Sequence, residues 1–213
     1  KCNYEPFGSA EGKDGCRMIL YQTPGTPTNP KIRKILESCN GTIIQQNNGW
    51  NIVSLPPPLY RKQYNPKRVQ KSLENKELVV TELNDGTTVT FYWWNDSWRI
   101  STTRGFDMND IVWQGSRTYS NLITEIFESL EFDLNKKFDK KYSYTMGFCH
   151  PDMHMFCTEP SLWFICKTNL ETFEYSFETI ENLPNQVEIQ TDSLEFLNDR
   201  CKIWEQLEKS NSI

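Results

Sequence analysis

The chain has 213 residues, of which 37% are apolar and 24% are charged, a composition that is typical of a globular protein and excludes a disordered one. Its formal net charge of −5 gives no support for the basic surface on which nucleic-acid binding usually depends. Seven cysteines without regular spacing argue against a disulfide framework, and no apolar run has the length of a membrane span. We therefore expect reduced thiols and an intracellular, cytoplasmic protein.

The beginning of the chain carries weak structural signals. We predict an N-terminal extension over residues 1–39, ending in a short helix, and a main domain over residues 40–213. Asn29 can cap the helix and Pro30 suits its first turn. Gly41 is suited to the left-handed conformation at which helices often end.

Strands are predicted next, separated by residues that tolerate tight turns. Asn47-Asn48-Gly49 and Asp85-Gly86 are typical hairpin turns, and Asn95-Asp96 is a third turn. The predicted strands cover residues 42–46, 49–55, 77–84, 87–94 and 98–103. The last three of these form a predicted three-stranded antiparallel meander.

The second half of the chain is predicted to mix helices and strands. A helix over residues 120–134 has Leu122, Ile123 and Ile126 on one face. Asp192-Ser-Leu-Glu195 has the pattern of a capping box at the start of a final helix. Between the two helices, strands are predicted over residues 142–149, 153–158, 162–167 and 171–177.

The region around Asp85-Gly86 resembles the phage-type RNA ligases of the nucleotidyltransferase superfamily. Their Lys-x-Asp-Gly motif is followed by a strand, a turn and a strand that reads roughly Trp-x-x-x-Thr-Arg-Gly. The matching residues are Asp85, Gly86, Trp98, Thr103, Arg104 and Gly105. Residues 49–65 are also similar to the hairpin and proline-aromatic segment that precedes the motif in this family. The resemblance implies an α+β adenylation-domain fold, with two packed antiparallel sheets and flanking helices.

The chain departs from this family at the positions that carry its chemistry. Leu83 stands where the family has its lysine nucleophile, and Gly147 stands where the family has a nucleotide-binding glutamate. Leucine has no lone pair with which to attack a phosphate. The sequence also has no Lys-x-Lys pair like the one that closes the family's active site. The resemblance leaves three positions as candidate nucleotide contacts, namely Arg104, Gly105 and Gly147.

Two further clusters have a functional interpretation beside a structural one. Two histidines and two cysteines within nine residues satisfy the composition of a tetrahedral zinc site. They are Cys149, His150, His154 and Cys157. Adjacent residues of a strand point to opposite faces, however, so we favour packed cysteines and no metal. The tryptophans Trp93, Trp94 and Trp98 can form a base-stacking platform or part of the core, and we favour the core.

These observations support a catalytically inactive RNA-ligase-like protein that acts as a structural or interaction module. The degenerate pattern, with the lysine lost, resembles uncharacterised proteins of large DNA viruses, so association with a virus particle is a further expectation. One alternative is an RNA ligase or capping-type nucleotidyltransferase truncated before its last motifs, which would use ATP and Mg²⁺. Another is a single-stranded nucleic-acid-binding module. For the inactive protein we expect no cofactor and no membrane, and a protein partner in preference to RNA.

Overall fold

The computed structural model describes residues 16–18, 29–31, 38–46, 49–57, 66–78, 80–82, 84–103, 105–112, 115–153 and 157–199. The chain is divided into two compact units. The first contains residues 1–60 and 84–185, and the second contains residues 61–83 and 186–213. Within the described ranges, no helix combines the length and the apolar character needed to cross a membrane.

The described elements are antiparallel strands with few helices, so the protein is an α+β structure, as the sequence predicts. The strands are β1 Cys16–Met18, β2 Ile43–Gln46, β3 Trp50–Ser54, β4 Thr87–Trp94, β5 Ser97–Thr102, β6 Tyr142–Cys149, β7 Ser161–Asn169 and β8 Tyr175–Ser176. The helices with described bounds are α1 Pro66–Glu74, α2 Tyr119–Ser129 and α3 Leu134–Lys137.

A three-stranded sheet in the order β1-β2-β3 forms one side of the first unit. Strands β2 and β3 are the predicted hairpin, whereas β1 lies in a segment without a clear strand pattern. The start of the helix before them also agrees with the prediction, since the Asn29 side chain accepts a hydrogen bond from the Lys31 amide at 3.0 Å. Gly41 has the expected left-handed backbone, with φ of 82°. Residues 32–37, which complete the predicted helix, lie outside the described residues.

A five-stranded sheet in the order β5-β4-β6-β7-β8 forms the other side of the first unit. Every neighbouring pair is antiparallel. Its inner strands β4 and β6 are paired from Thr87 opposite Phe148 to Phe91 opposite Tyr144. A bulge between Thr145 and Met146 shifts the register of β6 against β7. Among the described residues, β4, β6 and β7 are therefore paired on both edges, and β5 and β8 are the edge strands of this sheet.

The main core lies between this sheet and α2. Thr118 begins the helix with a reciprocal capping box in which its hydroxyl accepts from the Asn121 amide. Alternate residues of β4, Val89 and Phe91, point toward the buried helix face that the sequence predicts. The other residues of this core are Trp98, Ile100, Met108, Tyr119, Leu122, Ile123, Ile126, Phe127, Phe132, Phe138, Tyr144, Met146, Phe148, Met153, Leu162, Phe164 and Leu183.

A second, smaller core joins the two sheets of the first unit. Tyr92 on the opposite face of β4 packs with Ile43 of β2 and Val53 of β3. Phe106 completes the cluster and accepts a hydrogen bond from the Tyr92 hydroxyl at its backbone oxygen, at 2.6 Å. Strand β4 therefore contributes one face to each core, and the two sheets are packed together as expected.

The second unit is built from two segments that are distant in sequence. Residues 80–82 pair with residues 187–189 through amide bonds from Glu82 to the Val187 oxygen and from Ile189 to the Val80 oxygen. The Gln70 side chain of α1 accepts from the Leu194 amide at 2.9 Å and donates to a nearby backbone oxygen. These hydrogen bonds join α1 to Asp192 and Leu194, at the start of the helical residues 194–199.

Three element predictions need correction. The described residues of 77–84 do not form the first strand of a meander with β4, because β4 pairs with β5 and β6 and residues 80–82 pair with residues 187–189. The described residues of 153–158 are turn and irregular rather than strand, since the β6–β7 connection occupies them. Helix α2 ends at Ser129, followed by Glu131 with φ of 51°, and a separate turn of helix begins at Leu134.

Candidate functional site

Gly86, in the degenerate motif, lies at the start of β4 and against the end of β6. Its backbone has φ of 153°, which favours glycine. A Cβ at this position would lie 2.5 Å from the Phe148 backbone oxygen and 3.0 Å from the Trp163 ring. Asp85, before it, is exposed. Leu83, which occupies the position of the family's nucleophile, lies outside the described residues.

Gly147 is covered by the same tryptophan. It lies in β6 opposite Trp163 of β7, and a Cβ would be 2.0 Å from the nearest ring atom of that indole. The indole is 6% exposed, so it has little room to move away. A glutamate side chain at position 147 has no space unless the indole is displaced. Gly86 and Gly147, which are two motif positions, thus contact one buried side chain whose role the sequence analysis missed.

The sheet face around Gly147 is lined with buried hydroxyl groups. Thr90 and Thr145 are hydrogen-bonded through their hydroxyls at 3.2 Å. The Ser101 hydroxyl donates to the backbone oxygen of Thr90 at 3.3 Å. Ser143 donates to the Leu55 oxygen at 2.9 Å and accepts from the Leu55 amide at 3.2 Å, which ties β6 to the segment after β3. We call this face, defined by Thr90, Ser101, Ser143, Thr145 and Thr168, the hydroxyl seam.

Some buried hydroxyls have no hydrogen-bond partner among the described protein atoms. Thr168, opposite Ser143 on the hydroxyl seam, is one of them. Thr42 and Ser54, at the ends of the three-stranded sheet, are two others. Buried polar groups are nearly always satisfied by protein, water or ligand. Among the seam residues, the Thr168 hydroxyl therefore has unused hydrogen-bonding capacity, and the seam has no charged group of its own.

Gly105, one of the predicted nucleotide contacts after β5, is hydrogen-bonded to Thr102. The Gly105 amide donates to the Thr102 hydroxyl, and the Thr102 amide donates to the Gly105 oxygen, both at 3.0 Å. A Cβ on Gly105 would be 2.0 Å from the Met108 sulfur, so a larger residue there requires the flexible Met108 side chain to move. Arg104 lies outside the described residues, and its role as a phosphate or ribose contact stays a prediction.

Arg99 is a basic residue near the hydroxyl seam that the sequence analysis did not single out. It lies opposite Tyr92 in the β4–β5 pair, on the face that turns toward the smaller core. Its guanidinium donates to Asp107 at 3.0 Å and lies 6.0 Å from the centre of the Trp94 ring. The sequence signal for this position is the alternation of Arg99 with the buried residues Trp98 and Ile100 along β5. This alternation places Arg99 on the face of the sheet that is opposite the main core.

The three tryptophans proposed for base stacking make protein contacts. Trp98 is 9% exposed and packs edge-on against Phe138, within the main core. Trp93 contacts Trp98 with ring centres 5.5 Å apart, and the Lys140 ammonium lies 3.6 Å above its ring. Trp94, half-buried on the other face, contacts the smaller core. These positions favour a structural role, and base stacking by Trp93 or Trp94 stays a prediction.

The cysteine-histidine cluster is divided between the two faces of β6. Cys149 is buried at the end of β6, where desolvation raises the pKa of its thiol to about 12, and the Cys157 thiol donates to the Glu159 oxygen at 3.1 Å. His150 points elsewhere, where its Nδ1 accepts from the Asp152 amide at 3.1 Å and its Nε2 lies 3.6 Å from Glu125. His154 lies outside the described residues. Within the described part of the chain, no three His, Cys, Asp or Glu residues are arranged to hold a metal ion.

An ion-pair network surrounds His150. Arg117 donates to Glu125 of α2 and to Asp152 of the β6–β7 connection. The hydrogen bond from Arg117 holds the pKa of the Glu125 carboxyl below its usual value, and the pKa of Arg117 is raised by the same bond. This network fastens the helix to the end of β6, and its side chains are paired rather than directed at a ligand.

Comparison with known proteins gives distant relatives of the chain. No protein-family model matches it. It is 28% identical over 176 residues to "Putative RNA-ligase" of African swine fever virus from a pig isolate from Kenya, covering 73% of this chain and 38% of that protein. It is also 28% identical over 178 residues to the protein of the same name from a tick isolate from Malawi, covering 74% and 39%. The chain thus spans about two fifths of the length of these relatives.

Proposed function

Because the chain is a distant homologue of the African swine fever virus proteins named "Putative RNA-ligase", we propose that it is an RNA-ligase-like module that has lost nucleotidyl transfer and acts by binding. The observation that carries this proposal is the Trp163 indole, which fills the space beside Gly86 and Gly147. In the family that this chain resembles, those positions adjoin the bound nucleotide. Here they support a packed aromatic ring instead.

The chemistry of the remaining residues supports the same proposal. Covalent nucleotidyl transfer needs an amine that attacks the α-phosphate, and Leu83 has none. It also needs positive charge close to the triphosphate. The hydroxyl seam contains only neutral side chains, and Arg99 beside it is already paired with Asp107. The adenylation-domain fold itself is part of this proposal, and two packed antiparallel sheets with an outer helix are consistent with it.

The partner that we propose is a protein rather than a nucleic acid. A net charge of −5 repels the negatively charged phosphate backbone of a nucleic acid. Counterion release, which drives most nucleic-acid binding, would therefore contribute little to the affinity. The proposed module would need neither ATP nor Mg²⁺. Fluorescence anisotropy with labelled single-stranded RNA at low salt checks this part, and submicromolar binding that weakens steeply with salt would contradict it.

An active ligase whose remaining motifs lie elsewhere in a longer protein is the second candidate. The spare hydrogen-bonding capacity of Thr168, Thr42 and Ser54 favours it, since a ribose or base could use these hydroxyls. The relatives are also more than twice as long as the matched region. This candidate needs a nucleophile other than Leu83.

Intact-mass spectrometry distinguishes the two candidates. The purified chain is incubated with ATP or GTP and Mg²⁺ and analysed without acid, which would cleave a phosphoramidate. We expect no mass gain, and a gain of one nucleoside monophosphate would overturn the proposed loss of transfer.

The matched variants are Leu83→Lys alone and Leu83→Lys combined with Trp163→Leu, each checked for folding by circular dichroism. The proposal predicts no adduct with Leu83→Lys, because the indole still fills the site. An adduct formed by Leu83→Lys alone would show that only the nucleophile is missing and would refute the steric part of the argument.

A further inference from the structure

The hairpin formed by β7 and β8 presents large aromatic side chains to solvent. Phe173, in its turn, is 52% exposed, and Phe177, directly after β8, is 70% exposed. Tyr175 between them is exposed as well. None of the three is among the described residues of either core. Exposed apolar surface that is rimmed by polar residues is typical of an interaction site.

The backbone of the hairpin gives no reason for an aromatic residue at position 173. Phe173 has a left-handed backbone with φ of 63°, which asparagine and glycine adopt more readily. The Asn169 side chain holds the turn by accepting from the Glu171 amide at 2.8 Å and the Thr172 amide at 3.0 Å. The Phe173 amide donates to the Asn169 oxygen at 2.9 Å. The turn is thus fixed by backbone groups and Asn169, without the Phe173 ring.

The charge of the same segment is negative. Residues 170–185 contain four glutamates and no lysine or arginine. Glu178 and Glu181 are each paired with a lysine. Glu171 and Glu174, on either side of the exposed turn, are exposed themselves and form no salt bridge with the described residues. A ligand with positive charge would complement these two carboxylates.

The base of the hairpin shows how a ring and a carboxylate hold a cation together. The Lys167 ammonium lies 3.0 Å from the Glu178 carboxylate and 5.5 Å from the centre of the Tyr142 ring. The carboxylate attracts it by its charge and the ring by its quadrupole. Phe173 and Glu174 give the exposed turn the same two kinds of group, and no described lysine or arginine is paired with them.

We propose that Glu171, Phe173, Glu174 and Phe177, which we call the hairpin surface, bind a segment of a partner protein that is rich in arginine. A guanidinium group stacks on aromatic rings and pairs with carboxylates, so arginine uses both features of the surface. A second copy of the chain would place glutamates against glutamates, and like charges oppose that contact. This partner chemistry rests on the proposed binding of a protein, and not on the proposed loss of nucleotidyl transfer.

The test titrates the whole chain into a fluorescein-labelled peptide in which arginine alternates with glycine. Fluorescence anisotropy measures the affinity at about 0.15 M salt, where charges more than about 8 Å apart are largely screened. A peptide in which glutamate alternates with glycine is the control probe. We expect the arginine peptide to bind and the glutamate peptide not to bind. A dissociation constant above about 1 mM for the arginine peptide would overturn the proposal.

Two double variants separate the rings from the charges. Phe173→Asn with Phe177→Ser should weaken binding by about fourfold or more, because each exposed cation–π contact contributes about two- to fivefold. Glu171→Gln with Glu174→Gln should also weaken binding and should reduce its dependence on salt. Circular dichroism confirms that each variant is folded. Unchanged affinity in either double variant would overturn the proposal.

Matched controls carry the same kinds of change elsewhere in the first unit. They are Ile111→Ser, at an exposed apolar residue, and Glu128→Gln with Glu131→Gln, at two exposed glutamates. Each should bind the arginine peptide within about twofold of the unmodified chain. An equal loss in the glutamate control would indicate general attraction to an acidic protein and would contradict the assigned surface.

Two further readouts distinguish the occupants. Nuclear magnetic resonance of the isotope-labelled chain should show peptide-induced amide shifts within residues 169–178, and shifts confined to other residues would refute the assignment. Sedimentation measures self-association, and a dimer that Phe177→Ser dissociates would assign the surface to a second copy instead. Failure of these experiments leaves the tests for a nucleotide adduct and for RNA binding unaffected, so the proposed function is decided separately.

Discussion

Replacing Gly147 with alanine tests how firmly the Trp163 indole is held against β6. An added Cβ would lie 2.0–2.3 Å from three ring atoms, well inside van der Waals contact. The backbone of Gly147 is not in the left-handed region, so alanine meets no conformational penalty there. Overpacking a buried site typically costs about 1–3 kcal/mol of unfolding free energy, and we expect Gly147→Ala to fall in this range.

The same substitution should behave differently when the indole is removed. In a Trp163→Leu background the added methyl group has space, and alanine is favoured over glycine in a strand by about 0.5–1 kcal/mol. Gly147→Ala should then be neutral or slightly stabilising. The double-mutant cycle therefore predicts a coupling energy of at least about 1 kcal/mol between positions 147 and 163.

Equilibrium unfolding in urea, followed by far-ultraviolet circular dichroism, measures all four proteins of this cycle. Thr88→Ala is the matched control, because Thr88 is exposed and lies opposite Gly147 in β4. We expect the control to change the unfolding free energy by less than about 0.5 kcal/mol. Equal costs of Gly147→Ala with and without the tryptophan would refute the steric explanation for the missing glutamate.

Three other expectations follow from the described contacts. Ser143→Ala removes both hydrogen bonds that join β6 to the segment after β3 and should cost about 1–3 kcal/mol in urea unfolding, whereas the half-buried Ser120→Ala should cost less than about 0.5 kcal/mol. The Glu125 carboxyl has a lowered pKa, so its contribution to stability is present above the usual carboxyl pKa and is lost as pH falls. Arg117→Gln should raise the pKa of Glu125 toward its ordinary value, as measured by nuclear magnetic resonance. An unchanged pKa would contradict the pairing of Arg117 with Glu125. Burial raises the pKa of Tyr144 to about 12, so the stability that depends on its neutral phenol is complete below pH 10 and is lost as pH rises through 12. An ultraviolet titration follows the ionisation of the phenols, and Tyr144→Phe should remove signal from the phenols that ionise last. An unchanged signal would refute this assignment.

Local sequence patterns predict the elements whose partners are near in sequence. The β2–β3 hairpin and the apolar face of α2 follow from turn residues and from periodicity, because adjacent residues determine both. The extended segment around Val80 has the same local pattern as a meander strand. Its actual partner, the segment around Glu188, is too distant in sequence for any turn signal to identify.

The sequence analysis names Gly86 and Gly147 in separate motifs, and the structure places both of them beside the Trp163 ring. Nothing in the sequence relates either glycine to Trp163, since that relation depends on the register of β6 against β7. The opposite orientation of Cys149 and His150 was predictable, because strand alternation requires it.

The second unit has a consequence for synthesis on the ribosome. Thr81 and its side-chain partner Gln186 are 105 residues apart. At translation rates of about 5–20 residues per second, residues 80–82 wait about 5–20 seconds for their partners to be made. During this interval they form an extended segment without its native neighbour, while the strands of the five-stranded sheet are being completed. A nascent chain stalled before residue 186 should therefore expose this segment to proteases that the finished protein resists.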